Sequence, residues 1–506
     1  MKPNIISRYG LLIGAVLVGI IFRFWSGMHQ PVFSDEAYSI YESQFYPFPY
    51  DPSYPPLYPI FLHYWVKIST DLLWVRLPSI IAGTLSLVVV WRMLEKHINL
   101  HAANIGVALL SLSSLHIHYS WVARPHALTA YIVILSLEQL WNLSKTIEHR
   151  TIPSDKRLAL YLMTNSIGAL LSHGYTMFLL GSLTALCIWT IQKNMWSRLW
   201  KTRLRAAVIV LLHTLLPFIQ FIFIGNELKP LIDSAVWIPN FSMHSVTSVF
   251  LTLFNGTKVL TGDLYSSTLI AVYTSLTAVC IMIHALYKTL RTSAPFIALL
   301  FMCSIGASLV AVAIVYSWLG MTILQPRLLL SIHILYILGL SVTIPAVIRN
   351  ARKKYFFRSA YFYESIVLIL FLVFNVRSLV LLNIEDYYMS RHVLSVINQL
   401  KSDQHSALIV FPRYHVLTIQ YLWGLYTTHP ALASAHSLLA IGDNQHISQY
   451  LESLPLHQPI TMLILEDPST LSSGAQEIIK RLTPLCKRGT IQAADILHCP
   501  PLIHKP

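Results

Sequence analysis

The chain has 506 residues, 55% of them hydrophobic and only 11% charged, with a mean hydropathy of +0.57 and a net charge of +14. Soluble domains carry about 25% charged residues, so the composition excludes an ordinary soluble globule and places most of the chain in lipid. The excess of base is confined to discrete loops, which excludes nucleic acid as a partner and makes membrane topology its cause.

A helix needs about 20 apolar residues to cross a bilayer, and about eleven runs qualify or come close. They lie at 9–28, 72–94, 102–121, 126–144, 158–173, 174–192, 206–224, 265–287, 294–317, 328–348 and 360–382. The first follows Lys2 and Arg8 and ends in Ile21-Phe22-Arg23-Phe24-Trp25 with no small-residue cleavage site. It reads as a retained span and not a secretory leader. With the amino end inside, alternate loops hold about 20 of the 36 Lys and Arg, the positive-inside signature. Their partners there are the anionic headgroups of membrane lipids. The expected class is a polytopic all-α membrane protein of the plasma (inner) membrane.

The loop 29–71 is the least ordinary segment. Adjacent carboxylates Asp35 and Glu36 follow the first span, and six prolines fall between Pro47 and Pro59. Pro55-Pro56 is expected to break the chain before an interfacial helix at 57–67. Lys193–Arg205, with Trp196, Leu199, Trp200 and Leu204 on one face, reads as an interfacial helix on the inner surface. His116 and His118 stand on different helix faces, which argues against a shared metal.

Residues 385–506 change texture. The runs 406–411 and 460–465 read as strands, and 389–401, 414–427 and 474–484 as helices, giving a small α/β domain. Eleven crossings place this domain outside, where Cys486 and Cys499 are free to pair. The division is therefore 1–384 for the membrane part, with its first outer loop at 29–71, and 385–506 for the extracytoplasmic domain.

On this topology Asp35, Glu36, Arg124, His173, Lys258, Asp263 and the Gln325-Pro326-Arg327 element all fall on the outer face. Their order resembles that of the polytopic GT-C glycosyltransferases, closest to the protein O-mannosyltransferase, aminoarabinose transferase and RgtA/B/C/D-like group (glycosyltransferase family 39-like). The elements are Asp35-Glu36, Pro55-Pro56-Leu57-Tyr58, Arg76-Leu77-Pro78-Ser79, Ala123-Arg124-Pro125-His126-Ala127-Leu128, His173-Gly174-Tyr175 and Gln325-Pro326-Arg327-Leu328. His126 and Leu328 stand where the family more often has Tyr.

The resemblance implies an inverting transfer of a sugar from a polyprenyl-phosphate donor to a lipid, polysaccharide or protein acceptor. Asp35 is the expected base, with Glu36 orienting the acceptor or joining Asp35 around a divalent cation. Two carboxylates are too few ligands to specify a metal. Arg124 and Arg327, with His173 and Lys258 as further candidates, would bind the donor phosphate, and Tyr54 and Tyr58 would line the sugar site.

Each assignment has a structural rival. The acids suit the first turn of a helix begun by Ser34, the arginines suit headgroup anchors, and His173 suits a satisfied helix end. Two other functions stay open: a transporter or flippase of lipid-linked substrates, and a ligase moving a whole glycan from a diphosphate carrier.

Overall fold

The computed structural model describes residues 5–30, 32, 34–45, 55–196, 249, 252–253, 295–319, 327–351, 407–411, 460–464, 480, 487–491 and 494–499. These form two compact units: the strands group with His29–Phe45, and the remaining helices make up the other unit.

The helical unit opens with α1, Ile5–His29. Its exposed Leu11, Leu17, Ile21, Trp25 and Met28 recur at helical spacing and form an apolar stripe. In water that stripe would be a sticky surface; against acyl chains it is solvated. A proline-led start gives α3, Leu57–Val66, with Pro56 at the cap, as the Pro55-Pro56 pair predicts.

The next helix, α4 (Leu72–His97), is started by Asp71, whose carboxylate accepts from the amides of Leu73 and Trp74 at 3.0 and 3.2 Å. Then come α5 (Leu100–Ser111), α6 (Ser114–Tyr119), α7 (His126–Glu148), α8 (Asp155–Leu171) and α9 (His173–Gln192). Two more, α10 (Pro295–Leu319) and α11 (Leu330–Ala351), complete the described helices of this unit.

Eight of the expected spans therefore fall on helices, one of them broken. Those at 206–224, 265–287 and 360–382 lie outside the described residues, as does the interfacial helix beyond Trp196. Among the described residues, Tyr9–His29, Leu72–His97 and His173–Gln192 are long and apolar enough to cross a bilayer on length and composition alone. The chain is a multi-pass membrane protein.

The broken span corrects the sequence reading. The segment 102–121 is not one helix, because the chain leaves helical geometry at Leu112-Ser113. Ser113 caps the short α6 by accepting from the His116 amide at 3.2 Å. Serine competes with the helix by such local bonds, and here a distant partner, His333, holds the competing conformation in place.

Two polar contacts fix the direction of packing. Arg92 pairs with Glu138, and Lys96 donates to Asn142 at 2.9 Å, so α4 and α7 advance together and run parallel. Close approaches occur at small residues, as membrane bundles require. A Cβ on Gly181 of α9 would lie 2.4 Å from the Ser304 Cα of α10, and one on Gly106 of α5 would meet Leu94 of α4 at 2.4 Å.

The α8–α9 hairpin turns in one extended residue, Ser172, which caps α9 by accepting from the Gly174 amide. Asn165 ties the hairpin to α7, accepting from Ser136 at 3.0 Å and from the Tyr175 hydroxyl at 2.8 Å.

The second unit contains α2, Ser34–Phe45, and four strands. They are β1 (Ala407–Phe411), β2 (Ile460–Ile464), β3 (Lys487–Ile491) and β4 (Ala494–Cys499), in the order β1-β2-β4-β3. β1 and β2 are parallel, with Ala407 opposite Ile460, which demands a crossover between them. β4 is antiparallel to β2 and to β3. The two expected strands are present. Apart from Lys480, which is helical, the expected helices of this region lie outside the described residues, as does Cys486.

Candidate functional site

Arg124 lies in the six-residue turn 120–125 that joins α6 to α7. Ser120 closes α6, its amide donating to the carbonyls of His116 and Ile117 at 3.1 and 2.9 Å. The Arg124 amide donates to Val122 at 2.8 Å, and its carbonyl accepts from Ser79 of α4 at 3.4 Å. Trp121 is covered by the Arg76 guanidinium, 4.8 Å above its ring, while Arg76 also donates to the Gly27 carbonyl of α1 at 2.9 Å. The turn is thus gripped at two points by α4, which Arg76 ties to α1, and Arg124 is 7% exposed. Pro125 then starts α7, where its missing amide costs nothing.

His126, the first residue of α7, is also 7% exposed. Its ring meets Tyr119 edge-on at 5.0 Å, and His118 packs against Tyr119 and Trp121 at 5.1 and 5.5 Å. Arg124, Arg327 and His118 all lie close enough for their charges to act on the His126 ring. The two guanidinium groups are permanently positive. Among the described residues, His126 Nδ1 is buried without a hydrogen-bond partner.

Arg327 precedes α11 in the turn 327–329. The α8–α9 junction abuts the same turn: a Cβ on Gly174 would come within 2.7 Å of the Leu328 carbonyl oxygen. His173, half-buried, begins α9 beside it. The structure therefore gathers Arg124, Arg327, His126 and the His173 junction at the end of the helical unit where α4, α7, α9 and α11 begin. Positive charge, a helix start and low exposure together suit an anion.

Beneath this end is a buried polar layer that sequence reasoning missed. Arg23 of α1 has no exposed surface. Its guanidinium donates to the Gly19 carbonyl and to His116 Nδ1, both at 2.8 Å. Because guanidinium only donates, His116 Nδ1 must accept, and its proton resides on Nε2. The same logic runs on through Ser113. His333 Nδ1 donates to the Leu253 carbonyl at 2.5 Å, so its Nε2 accepts from the Ser113 hydroxyl at 2.7 Å. The signal for Arg23 was a single charge inside an apolar run, which a membrane span tolerates only when it is held internally. His333 carried no signal, since its partners are 80 and 220 residues away.

The remaining candidates separate. Asp35 and Glu36 occupy the first turn of α2, in the other compact unit. Asp35 is half-buried and Glu36 fully buried. The first-turn position matches the structural rival, because carboxylates there favour the helix dipole. A fully buried carboxylate, however, goes beyond what a dipole effect requires. Tyr58 is buried in α3 with its ring 6.4 Å from Phe61. Tyr54 and Lys258 lie outside the described residues. His116 and His118 do diverge, one bonded to Arg23 and the other stacked among aromatics. Among the described residues no set of three or more His, Cys, Asp or Glu side chains is placed to hold a metal ion.

No family model matches the sequence, and no curated protein matches it. Solved structures do. ArnT of Cupriavidus metallidurans in the apo state superposes with a TM-score of 0.56 at 11% identity, over 97% of this chain and 98% of that one. The same protein bound to undecaprenyl phosphate gives 0.55 at 13% identity, with equal coverage. The chain has the GT-C fold. The oligosaccharyltransferase AglB of Archaeoglobus fulgidus, in complex with an inhibitory peptide and a dolichol-phosphate, gives 0.46 at 11% identity over 91% of this chain and 70% of that one.

Proposed function

We propose that this protein transfers a sugar from a polyprenyl-phosphate carrier to a hydroxyl acceptor at the outer face of the plasma membrane, inverting the anomeric carbon. The observation that carries the reading is the gathering of Arg124 and Arg327 around His126 at one end of a GT-C helical unit. ArnT, the similar structure, is bound to undecaprenyl phosphate, a ligand of the class these cations suit.

The acceptor oxygen attacks the anomeric carbon while its proton passes to the Asp35 carboxylate. The bond from that carbon to the phosphate oxygen breaks, and its electron pair leaves on the phosphate. The leaving group is a phosphate monoester whose second pKa is about 6, so it needs charge neutralisation and no proton donor. Arg124 and Arg327 supply this, since a guanidinium fork grips two phosphate oxygens and gains strength as charge develops. Glu36 orients the acceptor.

A flippase reading draws on the interrupted third span, because transporters place broken helices at a central site. Here the gap at Ser113 is filled by His333 and the chain's own amides, which favours a sealed structural break. The test is reconstitution with polyprenyl phosphates carrying labelled sugars and a cell-envelope extract as acceptor source. Transfer by wild type and its loss in Asp35→Asn are expected. Equal turnover by both removes Asp35 from catalysis, and lipid movement without transfer replaces the enzyme reading with the flippase.

A further inference from the structure

The loop that joins α7 to α8 borders an open cavity of about 600 Å³, within the size range of small-ligand sites. α7 has 23 residues, so this cavity is about 35 Å along the helix from Arg124. It is at the opposite end of the helical unit and independent of the proposed catalytic reading.

Its lining includes Lys145, His149 and Arg157, with Asn142, Thr146 and Ser154 between them, and no carboxylate. Lys145 shares its ammonium with Glu148 at 2.9 Å, but Glu148 does not line the cavity. Lys96 reaches Asn142 at 2.9 Å and brings a further cation to the rim. The hydroxyl protons are already committed: Thr146 donates to the Asn142 carbonyl at 2.9 Å, and Thr151 to the Thr146 carbonyl at 3.0 Å. Arg157 touches Thr146 only at 3.4 Å, a long contact that leaves its fork with capacity.

One more feature favours a negative occupant. Ser154, at the cap position of α8, makes no side-chain cap bond among the described residues, and the exposed first-turn Asp155 does not line the cavity. The first-turn amides of α8 therefore face this region without a serine oxygen, and amides at a helix start favour an anion.

The surroundings indicate where that anion comes from. His97 stacks on Trp141 at 4.8 Å, and Lys193 sits 4.6 Å over the Trp189 ring, at the ends of α4 and α9. Trp189 also donates to the Ser144 carbonyl at 3.3 Å, which joins that end to α7. Tryptophan rings gathered at helix ends mark the boundary between acyl chains and water. A cavity at this level opens beside headgroups.

We propose that this cavity binds the phosphodiester headgroup of an anionic phospholipid, its phosphate held between Arg157 and Lys145. The full chain, stripped of lipid in detergent, is placed in bilayer discs of phosphatidylcholine with a minor share of phosphatidylglycerol, and retained lipid is counted by native mass spectrometry. Wild type is expected to keep phosphatidylglycerol over phosphatidylcholine. Arg157→Gln and Lys145→Gln are each expected to weaken retention about fivefold, the value of one surface cation near anionic lipid. The two variants back each other up should one fold poorly. Retention unchanged in both overturns the site, and so does equal retention of phosphatidylcholine. Displacement of phosphatidylglycerol by matched inorganic phosphate would reveal a soluble phosphate site and overturn the lipid assignment.

Discussion

Gly83→Ala is the sharpest test of how the Arg124 turn is held. A Cβ at Gly83 of α4 would lie 2.4 Å from the Ser120 Cβ, 2.3 Å from its Oγ and 3.0 Å from Arg23 Nε. Carbon atoms in contact sit about 3.5–4.0 Å apart, so Ser120 must retreat by about 1 Å. Ser120 closes α6, and the chain reaches Arg124 four residues later. Overpacking of this kind costs about 1–3 kcal/mol. A 1 Å displacement of a positioning element can also cost about a hundredfold in rate. Thermal unfolding in a fixed detergent, with donor turnover measured in parallel, should show both losses. Ser120→Gly in the same chain removes the colliding Cβ and should recover most of each, whereas Ser120→Ala keeps it and should not. An unfolding midpoint and turnover both unchanged by Gly83→Ala would refute this account of the turn.

Arg124→Ala should weaken use of the lipid-phosphate donor by about a hundredfold or more, as expected for one lost charge-stabilising donor, while Arg391→Ala in the carboxyl-terminal part should leave it near wild type; similar losses in both, by initial-rate assay, count against a phosphate role. Gly181→Ala forces a Cβ to within 2.4 Å of the Ser304 backbone and should destabilise by about 1–3 kcal/mol. Gly306→Ala, which meets nothing within 4 Å, should stay within about 0.5 kcal/mol; a reversed order in thermal unfolding would contradict the α9–α10 packing. Asn165→Leu strands the Tyr175 and Ser136 hydroxyls and should cost about 1–3 kcal/mol, with adding Tyr175→Phe expected to recover part of the loss in the same assay.

Much of the helical unit was legible because lipid imposes one rule on every span: about 20 apolar residues and self-satisfied amides. The expected runs at 72–94, 126–144 and 174–192 became α4, α7 and α9 with shifts of a few residues. The break at Ser113 escaped, since Ser113-Ser114 is a short polar interruption of an otherwise apolar run and its stabilising partner, His333, is distant in sequence. The β3–β4 hairpin escaped as well. The sequence between its strands, Gln492-Ala493, lacks the Gly or Asn that signals a hairpin. In the site, Arg124 and Arg327 were readable because each adjoins a proline in the sequence. Their meeting at His126 was not, because it depends on α7 and α11 beginning at one end of the unit.

Central to the proposed function is a phosphate seat at Arg124, Arg327 and His126. A polyprenyl phosphate bearing a photoreactive group next to its phosphate, crosslinked to the reconstituted protein and mapped by peptide mass spectrometry, tests it directly. Adducts on the 118–128 turn and around Arg327, lost in the Arg124→Ala and Arg327→Ala double variant, are the expected result. Adducts confined to other segments, or undiminished in the double variant, would contradict it.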